Sequence, residues 1–197
     1  MRDIEPQMEQ SGFLVRREPP ETRRKACDAP WEAHFTEAAV LIAFAQHLLQ
    51  SEDTVTIHPD GEHAKRFDIP LALQSLGYTK TAPLGTTTYG GIYRSGNKTL
   101  RVHPKSGQGD ILSTQVFAEA KGGVINTRHA GQVSRLRKGL SEAVGQLMAA
   151  PDTGQRMVAV VPATVDTRRL GASLLPRCLR AEIEIALVDA DGSVEFL

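Results

Sequence analysis

The sequence predicts a mixed α/β domain in which helices cover a β-sheet. Three observations lead to this fold class. Residues 32–50 form a strongly apolar helical segment, residues 91–121 contain short strand-like segments separated by turns, and residues 157–188 follow the order strand, helix, strand. A helix, an antiparallel meander and strand–helix–strand units together indicate a mixed sheet with helices against it.

The individual elements follow from periodicity and from turn residues. Helices are predicted over residues 32–50, 70–76, 128–149 and 166–180. Strands are predicted over residues 54–58, 91–94, 98–103, 110–113, 116–121, 157–162, 183–188 and 193–196. The turn Ser95-Gly96-Asn97 joins two of these strands into a hairpin.

The composition fits one domain with a polar extension. The chain has 197 residues, of which 41% are hydrophobic, enough for one buried core. Residues 1–30 combine balanced charge with four prolines, so we expect a flexible extension there and the domain over residues 31–197.

The two cysteines, Cys27 and Cys178, lie far apart, which argues against a disulfide framework or a zinc site and favours a reducing cytoplasm. No apolar stretch approaches the ~20 residues that span a bilayer, so we expect no membrane partner.

Charge is unevenly distributed along a chain whose formal net charge is zero. From Arg94 to Lys138 there are nine cationic residues but only two acidic ones, Asp110 and Glu119. A basic stretch of this kind is typical of a phosphate-facing surface, although a solvated basic face is equally compatible with it.

The two acids of this segment are predicted to face each other. If Thr114-Gln115 is the centre of a reversal, paired residue numbers sum to 229, which places Asp110 opposite Glu119 and Leu112 opposite Phe117. Directly opposed side chains share a face, with Cβ atoms about 4.5–5.5 Å apart, and Lys121 points to that same face. Two close carboxylates repel each other, and a hard divalent cation such as Mg²⁺ or Mn²⁺ removes that conflict.

Two further polar residues fall on apolar helix faces. Glu37 lies among the apolar residues of the first long helix, where a lone carboxylate is costly unless it is paired, protonated or metal-bound. An interaction with the helix dipole is the alternative explanation. Gln132 lies at the edge of the buried stripe of the 128–149 helix, near its amino end.

Taken together, Glu37, Gly109-Asp110, Glu119-Ala120-Lys121 and Gln132 resemble the pattern of the PD-(D/E)XK nucleases, the restriction-endonuclease-like superfamily. The resemblance implies that Asp110 and Glu119 hold Mg²⁺ or Mn²⁺, with the Ala120 carbonyl and Glu37 as additional ligands. It further implies that Lys121 orients or deprotonates water and that Gln132 positions water or phosphate. Arg94, Lys98, Arg101, Arg128 and Arg135 are expected to contact further phosphates.

The resulting hypothesis is a metal-dependent DNA endonuclease, with RNA as an alternative substrate and a homodimer as an alternative to a monomer. The main alternative function is a non-catalytic nucleic-acid-binding or regulatory module on the same fold. A protein-interaction domain whose acids are merely solvated is a third interpretation. The intact Glu119-Ala120-Lys121 triplet favours the enzyme.

Overall fold

The computed structural model describes residues 13–61, 67–104 and 109–197. Its helices are α1 (Glu37–Leu48), α2 (Ile69–Ser75), α3 (Ala130–Ala149) and α4 (Val165–Arg180), and a 3-10 helix spans Glu21–Ala26. Its strands are β1 (Leu14–Arg17), β2 (Glu32–Phe35), β3 (Thr54–Ile57), β4 (Thr79–Pro83), β5 (Gly91–Ser95), β6 (Lys98–Val102), β7 (Ile111–Leu112), β8 (Val116–Ala120), β9 (Gly123–Val124), β10 (Arg156–Pro162), β11 (Ile183–Val188) and β12 (Val194–Phe196).

A mixed sheet organises the domain. Within the described ranges its nine strands lie in the order β12-β11-β10-β8-β7-β3-β6-β5-β4. The pairs β8–β10, β10–β11 and β3–β6 are parallel, and the remaining pairs are antiparallel. The predicted α/β class, with helices flanking a mixed sheet, is confirmed.

Different helices pack on the two faces of the sheet. In β10, alternate residues point to the two faces and belong to two separate cores. Val158 and Val160 belong to the core that contains α1, whereas Ala159 and Val161 belong to the core that contains α3 and part of α4. Successive strand residues point to opposite faces, so the continuous apolar run of β10 fits a strand that is covered on both sides.

Helix α1 begins later than predicted. The segment expected to be one helix over residues 32–50 starts with strand β2, and Thr36 then caps α1 by accepting a hydrogen bond from the Ala39 backbone N–H at 3.3 Å. Ala38 through Ala45 are fully buried. With 12 residues, α1 is about 18 Å long, and in the part of the chain that the structure describes no helix has the length and apolarity needed to cross a bilayer.

The amino-terminal segment contributes to the core, so the expectation that residues 1–30 are only an extension is wrong for the part that the structure describes. Strand β1 pairs antiparallel with β2, which in turn pairs with β9 in a three-stranded sheet. Phe13, Leu14 and Val15 are at most 5% exposed. The pairing that buries them is distant in sequence, which local charge and proline content do not reveal. Residues 1–12, part of the predicted flexible extension, lie outside the described residues.

Candidate active site

The hairpin of β7 and β8 has the register that the sequence predicts. Leu112 pairs with Phe117 and Ile111 pairs with Ala118, so the pairing centre is Thr114-Gln115. Asp110 immediately precedes β7, and the same register places it opposite Glu119 near the end of β8. The two acids therefore meet at the open end of the hairpin, away from its turn.

Gly109 sets the approach of Asp110 to β8. Its φ is +76°, and a Cβ at this position would lie 2.8 Å from the Phe117 ring. A side chain is therefore excluded both by the left-handed backbone and by the packing of that ring. The Asp110 Oδ2 atom accepts a hydrogen bond from the Ala120 backbone N–H at 2.9 Å. This bond orients the carboxylate along the end of β8.

The Asp110 and Glu119 side chains interact directly. Glu119 is 9% exposed, and its pKa is raised to about 8 by burial, by the Asp110 charge and by a side-chain hydrogen bond with Asp110. A hydrogen bond between two carboxyl groups requires a proton on one of them. At neutral pH the pair therefore carries a shared proton, because a buried carboxyl group beside a second, partly buried one resists ionisation.

Lys121 joins this pair to the start of α1. Its Nζ lies 3.6 Å from Asp110 Oδ2 and 4.0 Å from Glu37 Oε2. The Lys121 charge opposes the pKa rise of Glu119 without cancelling it. The predicted convergence of Asp110, Glu119 and Lys121 is thus observed, and Glu37, which is 8% exposed, joins them through the lysine.

Gly122 allows α1 to approach the end of β8. A Cβ on Gly122 would lie 2.4 Å from the Glu37 backbone nitrogen and 2.5 Å from the Phe35 carbonyl oxygen. Only glycine fits such backbone-to-backbone contact. This contact brings the first residue of α1 beside the residue after Lys121, which explains how a glutamate distant in sequence reaches the lysine.

Two cavities meet at Lys121. The first, here called the basic cleft, has a volume of about 540 Å³ and is lined by polar and charged residues that include Arg17, Arg23, His34, Glu37, Lys121, Gln132, Arg135, Lys138 and Glu142. The second, here called the acidic cavity, has a volume of about 470 Å³ and is lined by residues that include Glu37, His58, Asp60, Asp110, Lys121, Glu142 and Gln146. Glu37, Lys121 and Glu142 line both, so the predicted catalytic lysine lies at their boundary.

Gln132 and Arg135 belong to the basic cleft, as their predicted roles require. Gln132 is 7% exposed on the first turn of α3, and Arg135 is exposed one turn later. Residues three apart on a helix share a face, so both lie on the cleft side of α3.

The other predicted phosphate-binding residues do not converge on the site. Arg94 and Arg101 are exposed on β5 and β6, which lie four and three strands from β8 in the sheet. Lys98 donates to the Glu52 carbonyl at 3.1 Å and to Asp53 Oδ1 at 3.2 Å. Arg128 forms an ion pair with Asp28 at 3.1 Å. None of these four lines either cavity. They lie near Asp110 and Glu119 in sequence, but the fold places them away from the two acids.

The amino-terminal segment supplies cleft residues that the sequence analysis missed. Glu32, 1% exposed, accepts a hydrogen bond from Arg23 at 3.0 Å and lies 3.0 Å from His34 Nε2. The pKa of His34 is lowered by burial and by the Arg17 charge, against the opposing effect of Glu32. The apolar triplet Phe13-Leu14-Val15 directly before Arg16-Arg17 is the signal that indicates a strand here.

The chemistry of the acidic pair fits a hard divalent cation. Among the residues that the structure describes, no three His, Cys, Asp or Glu side chains form a metal-ligand group. Mg²⁺ in proteins commonly uses one or two carboxylates and keeps several waters, so Asp110 and Glu119 are a sufficient pair of carboxylate ligands. A cation would replace the proton that the two groups otherwise share.

No protein-family model matches the sequence, and neither a curated protein nor a solved structure matches the chain.

Proposed function

We propose that this chain is a metal-dependent nuclease with a restriction-endonuclease-like fold, and that its substrate is DNA. The observation that carries the proposal is the contact between the buried Glu119 carboxyl group and the partly buried Asp110 beside Lys121. Such an arrangement is a poor design for stability alone, because the repulsion between the acids has to be offset elsewhere. Groups with strongly shifted pKa values in a cleft are characteristic of functional sites.

The order of elements supports the proposed fold. Helix α1 carries Glu37 at its first position, β7 follows Asp110, β8 contains Glu119 and ends just before Lys121, and α3 begins with Gln132 in its first turn. The unit β10–α4–β11 then completes the sheet with parallel strands. This is the order that the resemblance to the PD-(D/E)XK nucleases implies.

The residues have distinct roles in this proposal. Asp110, Glu119 and the Ala120 carbonyl would hold Mg²⁺ or Mn²⁺, with Glu37 as an outer or additional ligand. The bound cation would lower the pKa of water and neutralise charge that develops on the phosphate. Lys121, which forms ion pairs with Asp110 and Glu37, would orient the attacking water, and its positive charge would stabilise the phosphorane-like transition state. Gln132, which lines the basic cleft from α3, would position water or a phosphate oxygen.

The direct carboxyl–carboxyl contact also favours a second candidate function. A pair that is satisfied by a shared proton can persist without any cation, as a non-catalytic nucleic-acid-binding module on this fold would require. The two candidates differ in one respect that can be measured: only the nuclease needs the Asp110–Glu119 pair to be deprotonated.

Cleavage of supercoiled plasmid DNA and of a labelled RNA, with Mg²⁺, Mn²⁺ or EDTA, tests the proposal. We expect wild-type protein to cut DNA only with a cation, and Asp110→Asn and Glu119→Gln to lose on the order of a thousandfold in cleavage rate. Lys121→Met should lose roughly a hundredfold or more in turnover, within the range for removal of a group that stabilises charge in the transition state. Glu184→Gln is the matched control, since this acid lies on β11, two strands from β8 in the sheet, and pairs with Arg156 away from both cavities.

The outcomes separate the candidates. DNA cleavage by Glu119→Gln at the wild-type rate would contradict the proposed site, because the activity would then come from another site or from a contaminant. A folded wild-type protein that binds DNA and cuts neither nucleic acid with either cation would replace the nuclease with the binding module.

A further inference from the structure

A buried carboxylate organises part of the basic cleft. Glu32 on β2 is 1% exposed. Its Oε1 atom lies 2.7 Å from Arg23 Nε, and its Oε2 atom contacts both Arg23 Nη2 and His34 Nε2, each at 3.0 Å. Arg23 and His34 both line the basic cleft, whereas Glu32 does not. One carboxylate behind the cleft surface therefore fixes a guanidinium and an imidazole side by side.

The contact with Glu32 also determines the tautomer of His34. A carboxylate only accepts hydrogen bonds, so Nε2 carries the hydrogen of the neutral ring and Nδ1 carries a lone pair. The His34 side chain is 23% exposed. Among the residues that the structure describes, Nδ1 takes part in no hydrogen bond, and it is not one of their buried unpartnered side-chain atoms. This nitrogen is therefore accessible to a ligand in the cleft.

The charges around His34 favour an anion beside it. Burial and, next, the charge of Arg17 lower the pKa of His34, the charge of Arg23 acts in the same direction, and Glu32 opposes them. The other charged residues that line the cleft are Glu37 on α1, Lys121 after β8, and Arg135, Lys138 and Glu142 on α3. Five cationic side chains and two carboxylates thus line the cleft, so a bound anion would offset the positive charge that disfavours protonation of His34.

We propose that His34, positioned by Glu32, is a phosphate ligand of the basic cleft and takes up a proton from solvent when the phosphate binds. That the phosphate belongs to the backbone of a nucleic acid rests on the proposed function. A neutral Nδ1 presents a lone pair to the phosphate oxygen, and two acceptors repel each other. A protonated Nδ1 donates its hydrogen to that oxygen in a charge-assisted hydrogen bond. The affinity for phosphate should therefore fall as pH rises through the pKa that His34 has in the complex.

Proton NMR of the imidazole groups of the wild-type protein tests the anion site directly. The pKa of His34 is measured in excess sodium sulfate and in sodium chloride of the same ionic strength. Sulfate is the probe because it is tetrahedral like phosphate and stays fully ionised throughout the titration. We expect sulfate to raise the pKa of His34 by on the order of one unit, a tenfold gain in proton affinity. His47 is the matched control, because burial lowers its pKa too, but it stacks on Phe44 and lines neither cavity.

Binding of a fluorescently labelled DNA strand without a terminal phosphate, in EDTA, tests the nucleic-acid part. The measurements run from about pH 5 to about pH 7, below the pKa of about 8 of Glu119, so that the acidic pair keeps its proton. Uptake of one proton at His34 should weaken wild-type binding by up to about tenfold per pH unit. This contribution should be absent in His34→Gln and present in His47→Gln. Glu32→Gln should shift the fall in affinity to lower pH, because the loss of the carboxylate lowers the pKa of His34 further.

A sulfate-induced pKa change that is no larger for His34 than for His47 would overturn the site, and this result does not depend on whether any variant folds. The same pH dependence of DNA binding in wild type and His34→Gln would overturn the phosphate contact. A response of His34 to sulfate without DNA binding would overturn the nucleic acid as the ligand. These failures are distinct from failure of the nuclease. DNA cleavage without a response of His34 removes this ligand and leaves the enzyme, whereas pH-dependent DNA binding through His34 without cleavage leaves the ligand and removes the enzyme.

Discussion

A buried glutamate lies at each end of the β7–β8 hairpin, and the pKa values of the two glutamates are shifted in opposite directions. At the turn, Glu52 is 6% exposed and accepts hydrogen bonds from the Thr114 backbone N–H at 3.0 Å and from its hydroxyl at 2.5 Å. At the open end, Glu119 is 9% exposed and faces Asp110. Their exposed fractions are nearly equal, but the Glu119 carboxyl group lies deeper in the protein than that of Glu52.

The difference lies in what surrounds each carboxyl group. Burial alone would raise the pKa of Glu52, but hydrogen bonds from Ser113, Thr114 and Gln115 outweigh it and lower the pKa. For Glu119, burial and the Asp110 charge act in the same direction and raise the pKa to about 8. The turn end is therefore built for stability. At the open end, burial and a neighbouring acid instead oppose ionisation of Glu119, an arrangement that the proposed nuclease site would explain.

The largest expected contrast is in catalysis. Glu119→Gln should reduce cation-dependent plasmid cleavage on the order of a thousandfold, equivalent to about 4 kcal/mol of transition-state stabilisation. Glu52→Gln should retain cleavage per folded molecule, because its carboxylate caps a turn outside both cavities. Initial cleavage rates at a fixed concentration of folded protein check this. Comparable losses in both variants would erase the functional difference between the two ends.

The hairpin also shows which parts of the site can be predicted from sequence. The register followed from local pattern alone, because once Thr114-Gln115 is the turn, alternation fixes every partner. The position of Arg17 in the lining of the basic cleft could not be predicted from local pattern. It depends on the pairing of β1 with β2, and on the pairing of β2 with β9 across roughly ninety residues. Thr36, a good helix cap, could have divided β2 from α1. The opposing role of Glu52 is invisible locally because its partner Thr114 is 62 residues away.

The next contrast concerns pH and stability without added cation. The pKa of Glu119 is raised from an ordinary 4.5 to about 8, so between these values the folded chain holds a proton that the unfolded chain has released. This contribution to stability is present below pH 4.5 and is lost as pH rises through 8. The unfolding free energy of wild type should fall relative to Glu119→Gln by at most about 1.4 kcal/mol per pH unit in that window.

Urea unfolding of both proteins in EDTA at several pH values measures this difference. Adding Mg²⁺ should stabilise wild type most at the alkaline end, because the carboxylates bind the cation only when deprotonated. A difference between wild type and Glu119→Gln that is independent of pH, or that grows in favour of wild type as pH rises, would contradict the raised pKa.

A smaller effect is expected at the turn. Glu52→Ala leaves the Thr114 backbone N–H without its acceptor, which should cost about 2 kcal/mol and lower Tm by roughly 4–8 °C in a chain of this size. Glu119→Gln at pH 8 is the internal comparison, and its Tm should equal or exceed that of wild type. Differential scanning calorimetry checks both, and a Glu52→Ala protein as stable as wild type would show that solvent replaces the cap.

The smallest expected effect isolates Lys121. Its charge lowers the pKa of Glu119 against the combined effect of burial and Asp110. Lys121→Met should therefore raise the pKa of Glu119 further. The difference in unfolding free energy between Lys121→Met and the double variant Lys121→Met/Glu119→Gln changes with pH, and the midpoint of that change should rise by less than about one pH unit. Lys138→Met is the matched control, because this lysine lies in the same cleft but contacts Glu142.

Carbon-13 NMR of labelled glutamate side chains in EDTA reports the midpoint directly. The Lys121→Met protein should still bind Mg²⁺ through the acidic pair while its cleavage is nearly lost. A midpoint that stays constant or moves to lower pH would mean that Lys121 does not act electrostatically on the pair, and its proposed role at the open end of the hairpin would fail with it.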